Sequence, residues 1–177
     1  MFQLDPELES FRQEARKMAE RAFAAKAAYW DEEEIYPAEN LKLLAELGYL
    51  GLVIPEAYGG SGAPIIQGTI LLEEIARVCF NTALVAQVGI NGPSRAITIL
   101  ANEEQKKRWL PGCVSGENIF GIGISEPGAG SAMTDMITSA TPDGDHIVLN
   151  GQKCFCTGGH VATHIMVFAR WGKNPGP

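Results

Sequence analysis

The sequence predicts an α+β chain: an all-helical amino-terminal region, then the first strands of a β-barrel-like middle region. Three observations point there. Apolar residues recur at three- and four-residue steps through the first two-thirds of the chain, the spacing of one buried helix face. Near Gly116 that rhythm stops, and short β-favouring runs appear among glycines. Helices come first and strands afterwards, which argues against alternating β/α units. The boundary falls between 117 and 118, giving a helical domain over 1–117 and a partial β domain over 118–177.

The elements follow in order. Asp5 is placed to cap a first helix with Pro6 at its first position, where a missing N–H costs nothing. Leu8, Phe11, Ala15, Met18, Ala22 and Phe23 then share a face. After Tyr36-Pro37, a second helix carries Leu41, Leu44 and Leu47 inward and stops at Gly48 in a left-handed cap. Ile54–Gly62 holds a proline and three glycines and reads as a loop. A third helix is expected to turn Ile65, Thr69, Leu72, Ile75 and Ala76 inward, and helical character continues through Asn81–Ile90 and Pro93–Leu100. Asn102 and Gln105 form a capping box for a short helix ending at Leu110-Pro111.

Beyond Gly116, Ile119, Ile122 and Ile124 lie among glycines, and Met136–Thr141 and His146–Asn150 flank a Pro142-Asp-Gly144 turn. That pattern is a hairpin signal. Lys153–Thr157 and Ile165–Ala169 read as further strands. The tail Gly172–Pro177 is loop-like and gives the strands no closing partner, so the strand region is expected to be unstable alone.

Composition excludes several functions. With 46% hydrophobic and 20% charged residues in 177, the chain reads as soluble and globular, with room for one domain and part of another. A net charge of −7 argues against nucleic-acid binding. No apolar run is long enough to cross a bilayer, and the start lacks secretory or transit features, so a cytoplasmic location is expected. Cys79, Cys113, Cys154 and Cys156 show no disulfide framework and are read as reduced thiols.

The chemistry concentrates between Ile122 and Thr157. Glu126-Pro-Gly-Ala-Gly-Ser131 has few side chains in the way and can aim successive N–H groups at an anion. It is not a G-x-G-x-x-G turn opening a helix, and by composition alone a plain tight turn is the favoured reading. The following Leu149-Asn-Gly-Gln-Lys-Cys-Phe-Cys-Thr157 shifts that balance. Read as a strand, it puts Phe155 opposite Cys154 and Cys156, where the ring could cover a flat ligand with the Thr157 hydroxyl at its edge. Cys154, Cys156, His160 and His164 offer two thiols and two imidazoles, but Cys-x-Cys is tighter than ordinary zinc spacing, so no metal site is expected. Nor does a thiol nucleophile with His160 as base find an activating context. Asp31–Glu34 and Lys106–Arg108 read as solvated faces, and Arg95 as one half of a structural salt bridge.

Ile122–Ser131 followed by Leu149–Thr157 resembles the two flavin-contacting segments of the acyl-CoA dehydrogenase family. Leu47–Gly60 is similar to that family's Leu-Gly to Pro-Glu-x-x-Gly-Gly segment, and Glu103–Pro111 to the helix and turn entering its β domain. Ala132 stands where the family commonly has Asp, Phe155 where it has Trp, and Ile122 where it often has an aromatic or small residue.

The resemblance implies bound FAD contacted by Ile122, Ile124, Ser125, Gly130, Ser131, Phe155, Cys156 and Thr157. Ile124 and Ser125 would lie on the ring, with Ser125 at its pyrimidine edge and Thr157 near N5. Ser131 would serve both the pyrophosphate and the acyl-CoA pantetheine arm. The implied reaction, in fatty acid metabolism, is α,β-dehydrogenation of an acyl-CoA thioester. The implied partners are an electron-transfer flavoprotein as acceptor and further copies of the chain in a dimer or tetramer. Membrane and nucleic-acid partners are not implied. The family's second helical domain, with its catalytic Glu, has no counterpart in residues 1–177, so this stretch is expected to bind FAD weakly and be inactive alone. Alternatives are an acyl-CoA oxidase or flavin monooxygenase of the same superfamily, or a non-catalytic binding or assembly module.

Overall fold

A computed structural model describes residues 3–172. The expectation for the tail beyond Gly172 lies outside the described residues. The chain divides into two compact units at Ile119/Phe120.

The first unit is helical. Its α-helices are α1 (Pro6–Phe23), α2 (Ala27–Glu32), α3 (Ala38–Glu46), α4 (Ile65–Ala76), α5 (Phe80–Asn91), α6 (Pro93–Leu100) and α7 (Glu103–Ser115). Helix α1 starts as its sequence dictates: the Asp5 carboxylate accepts from the Leu8 N–H at 2.8 Å, with Pro6 at the first position. Ala15, Ala19 and Phe23, at four-residue steps, are fully buried against Leu71 and Ile75 of α4 and Ala83, Ala86 and Ile90 of α5. Gly48 ends α3 at φ +78°, the left-handed cap expected of it.

The inward face of α4 differs from the one expected. Ile75 is buried as expected, and Leu72 and Ala76 pack against the core, but Ile65 and Thr69 are exposed, and Gly68, Ile70, Leu71 and Glu74 are buried besides. The cause is Glu74, which receives the Arg16 guanidinium through two bonds of 2.9 and 3.0 Å and so turns toward α1. On α3, Leu44 is buried as expected, but Leu47 is half exposed. Helix α7 opens with the expected capping box, yet runs through Pro111 to Ser115. Pro111 is exposed and forfeits one backbone bond, while Cys113 beyond it is buried and the Asn118 amide donates to the Trp109 carbonyl at 2.9 Å. Arg95, expected in a salt bridge, makes none among the described residues.

The second unit carries β1 (Phe120–Gly123), β2 (Ser139–Asp143), β3 (His146–Asn150), β4 (His164–Val167) and β5 (Arg170–Trp171). β1 and β4 pair in parallel, Phe120 opposite His164, and those two rings stack at 5.1 Å. β2 pairs antiparallel with β3 and parallel with β5. The expected hairpin forms, but its turn is Gly144-Asp145, two residues later than the sequence suggested. Gly144, at φ +58°, takes the first turn position, which selects glycine in a two-residue hairpin loop. Lys153–Thr157 is not a strand: the chain leaves β3 at Asn150 and crosses to the loop that follows β1.

Candidate functional site

Strand β1 delivers the chain to Ile124 and Ser125, where a tight turn begins. Glu126 N–H donates to the Ala129 carbonyl at 2.9 Å and Ala129 N–H returns the bond at 3.1 Å, with Pro127 and Gly128 at the corner. Gly128, Gly130 and Ser131 beyond it are exposed.

Glu126 is the centre of the arrangement. Its side chain is buried, and it accepts from Ile137 N–H at 2.6 Å, Thr138 N–H at 2.9 Å and the Lys153 ammonium at 2.8 Å. The Ile137 N–H, followed by Lys153 and Thr138, holds its carboxyl down to about 2. A carboxylate so satisfied is not poised to take a proton near neutral pH. Lys153 also donates to the Ile124 carbonyl at 2.9 Å, and Cys154 N–H donates to the Ser125 carbonyl at 2.9 Å. Three stretches distant in sequence are thereby fixed side by side: 124–129, 137–138 and 153–154. Arg170 braces the middle one, its guanidinium donating to the Met136 and Thr134 carbonyls and its N–H to the Thr138 carbonyl.

The residues singled out from sequence fall into two groups. Ile124 and Ser125 adjoin Cys154, and so Phe155, Cys156 and Thr157, through the Ser125–Cys154 bond. Ile122 precedes them on β1. Gly130 and Ser131 lie past the tight turn and make no hydrogen bond to the 153–157 stretch among the described residues. Phe155 does not alternate with Cys154 and Cys156 as a strand residue. Its backbone is left-handed at φ +56° and its ring is 92% exposed. A bulky aromatic held that way costs about 1–3 kcal/mol, and such outliers gather at binding sites. Cys156 and Thr157 are half-buried at the start of the turn that follows. Among the described residues no three His, Cys, Asp or Glu side chains gather as a metal site.

Lys153 is the residue that sequence reasoning passed over. The available signal was a lysine among small and apolar neighbours, with a lone Glu126 in a glycine-rich loop to answer it.

Residues 5–117 match the acyl-CoA dehydrogenase N-terminal domain, and residues 121–176 match the middle domain. The chain belongs to the acyl-CoA dehydrogenase family. It is 36% identical over 170 residues to the 3-sulfinopropanoyl-CoA desulfinase of Advenella mimigardefordensis, covering 96% of this chain and 42% of that one. It is 35% identical over 175 residues to the short-chain specific acyl-CoA dehydrogenase of Clostridium acetobutylicum, covering 99% and 46%. The crystal structure of an acyl-CoA dehydrogenase from Geobacillus kaustophilus superposes with a TM-score of 0.85 at 34% identity, covering 94% of this chain and 43% of that one. This acyl-CoA dehydrogenase family chain therefore spans less than half the length of these relatives. No helix among its described residues is long and apolar enough to cross a membrane.

Proposed function

We propose that this chain supplies the cofactor-facing loops of an FAD-dependent acyl-CoA dehydrogenase that introduces an α,β double bond into an acyl-CoA thioester. The observation that carries the reading is the 2.9 Å bond from Cys154 N–H to the Ser125 carbonyl. It sets side by side the two segments whose resemblance to the family's flavin-contacting segments supports the reading.

The residues present fit such a group. The Phe155 ring stands 92% exposed, as a face for a flat ring system. Ser125 offers an N–H with no partner among the described residues, suited to an acceptor at the ring edge. FAD, when bound, supplies two-electron oxidation of the thioester's Cα–Cβ bond. Ile122 and Ile124 would pack against it, Ser125 and Thr157 would donate to its edge, and Cys156 would flank Thr157. Gly130 and Ser131 would meet the pyrophosphate, with Ser131 also reaching the pantetheine arm of the substrate. Glu126 orders these loops and takes no proton, so the base for the α-proton is another group. The same reading carries a place in fatty acid metabolism, a cytoplasmic setting, an electron-transfer flavoprotein as acceptor, and a homo-oligomer.

The test is anaerobic: the natural protein carrying this chain is purified with FAD, desalted and titrated with saturated acyl-CoAs. Retained flavin that bleaches as enoyl-CoA appears supports the reading, and a colourless protein or unbleached flavin sinks it. Thr157→Ala is expected to slow flavin reduction with little change in substrate affinity. One hydroxyl donor at a site of developing charge is worth about 1–3 kcal/mol. An unchanged rate in stopped-flow would remove Thr157 from the mechanism.

A second reading rests on the desulfinase relative, at 36% identity. The same fold would then act on a CoA thioester carrying a sulfinate. Loss of the sulfinate group from 3-sulfinopropanoyl-CoA, without bleaching by saturated acyl-CoAs, would select it.

A further inference from the structure

The peptide joining Ile124 to Ser125 is gripped from one side. Its carbonyl accepts from the Lys153 ammonium at 2.9 Å. The described chain contains no cis peptide, and in a trans peptide the N–H points opposite the C=O. Ser125 N–H is therefore directed away from Lys153, and it has no partner among the described residues. Around it the Ser125 carbonyl is engaged by Cys154, Glu126 N–H by the Ala129 carbonyl, and the Gly123 carbonyl by Phe168 N–H, while Ile124 N–H likewise has no partner among the described residues. A half-buried backbone donor left without a protein partner calls for a ligand.

We propose that Lys153 is a positioning residue: by holding the Ile124 carbonyl it fixes Ser125 N–H as a donor toward the electron-rich edge of the flavin ring. This rests on the flavin reading given above.

The rival role for Lys153 is that of counter-charge to buried Glu126. Bond accounting separates the two. Without Lys153, Glu126 keeps the Ile137 and Thr138 N–H groups. The Ile124 carbonyl keeps nothing, since the ammonium is its sole hydrogen-bond partner among the described residues. The first consequence of losing the lysine is thus a free 124–125 peptide, able to rotate its N–H out of line. A buried carboxylate short of its cation adds a stability cost, which neutralising Glu126 can remove.

Lys153→Met and the double variant Glu126→Gln/Lys153→Met test this in the natural protein. Three quantities are read: the urea midpoint, amide exchange across residues 122–131 without flavin, and the FAD dissociation constant from flavin fluorescence. Lys153→Met is expected to speed that exchange and weaken FAD binding, each by roughly tenfold or more, the worth of one charge-assisted bond. The double variant is expected to regain the wild-type midpoint while exchange stays fast and FAD binding stays weak. A double variant that recovers FAD affinity with its midpoint would make Lys153 a counter-charge only and overturn the proposal. So would a double variant that stays unfolded, or a Lys153→Met protein with wild-type exchange and affinity. If the wild-type protein binds no FAD, the flavin reading falls, and the exchange measurement alone still decides whether Lys153 fixes the peptide.

Discussion

The helical unit and the strand unit are held together by different physics. In the first, Phe23, Leu44, Leu71, Ile75, Ile90 and Leu110 are all fully buried, and each such side chain contributes about 1.5–3 kcal/mol by leaving water. In the second, Ala129 and Ala140 are the buried hydrophobic residues among those described, and all of β3 is exposed. What fixes its loops is polar: Glu126, Lys153, Arg170 and the backbone groups they engage. A core of aliphatic contacts tolerates small displacements, whereas hydrogen bonds fix direction. A region that must aim a backbone donor at a ligand is better served by the second kind.

The largest expected effect is on the helical side. Phe23→Ala removes a fully buried ring from the α1–α4–α5 core and is expected to cost about 3–5 kcal/mol. Urea unfolding followed by fluorescence of buried Trp30 measures it. A loss below about 1 kcal/mol would break the contrast, because it would mean the core does not depend on its largest fully buried side chain.

Acid probes the strand side. Glu126 has its carboxyl lowered from 4.5 to about 2 in the fold. A depressed carboxyl stabilises the fold fully above its unfolded value and loses that contribution as pH falls through the folded one. The loss therefore runs from about pH 4.5 down to about pH 2. Glu74 in the helical unit is also lowered, first by the Arg16 fork, but there an apolar core stands behind it. Exchange across residues 122–131 and 150–158 is expected to rise in that window before exchange in α4 and α5. Glu126→Gln should abolish the pH step in the loops. Loops that stay protected down to pH 2 would show that they do not depend on the ion pair.

How much was legible in the sequence divides along the same line. The helices were read from local chemistry, and local chemistry built them: Asp5 with Pro6, Asn102 with Gln105, Gly48, and the bounds of α6. The misreadings there were tertiary. Thr69 was placed inward and Glu74 was not, because the Arg16 that Glu74 meets lies 58 residues away in the chain. In the strand unit the motif showed which residues matter but not how they are arranged. Alternation in Lys153–Thr157 suits a strand, yet those residues are committed to Glu126 and Ser125 about 27 residues earlier. No periodicity encodes such a pairing, which is why Lys153 went unremarked and Phe155 was given the wrong backbone.

The smallest effect sharpens the comparison from the helical side, because it concerns a polar device within the apolar unit. Asn102 accepts from Gln105 N–H at 2.9 Å, and the Gln105 side chain accepts from Asn102 N–H at 3.1 Å, closing a reciprocal box at the start of α7. Both residues are exposed, so water can replace either bond when it is lost. Asn102→Ala is therefore expected to cost only about 1 kcal/mol, within the range of 0.5–2 kcal/mol for removing such a cap. Leu110 and Cys113 remain buried on the same helix and hold it in place. The urea midpoint of the helical unit reads the change, and Asn102→Asp, which keeps the acceptor oxygen, should restore it. A loss as large as that of Phe23→Ala would mean that polar caps carry this unit as well, and the distinction between the two regions would fail.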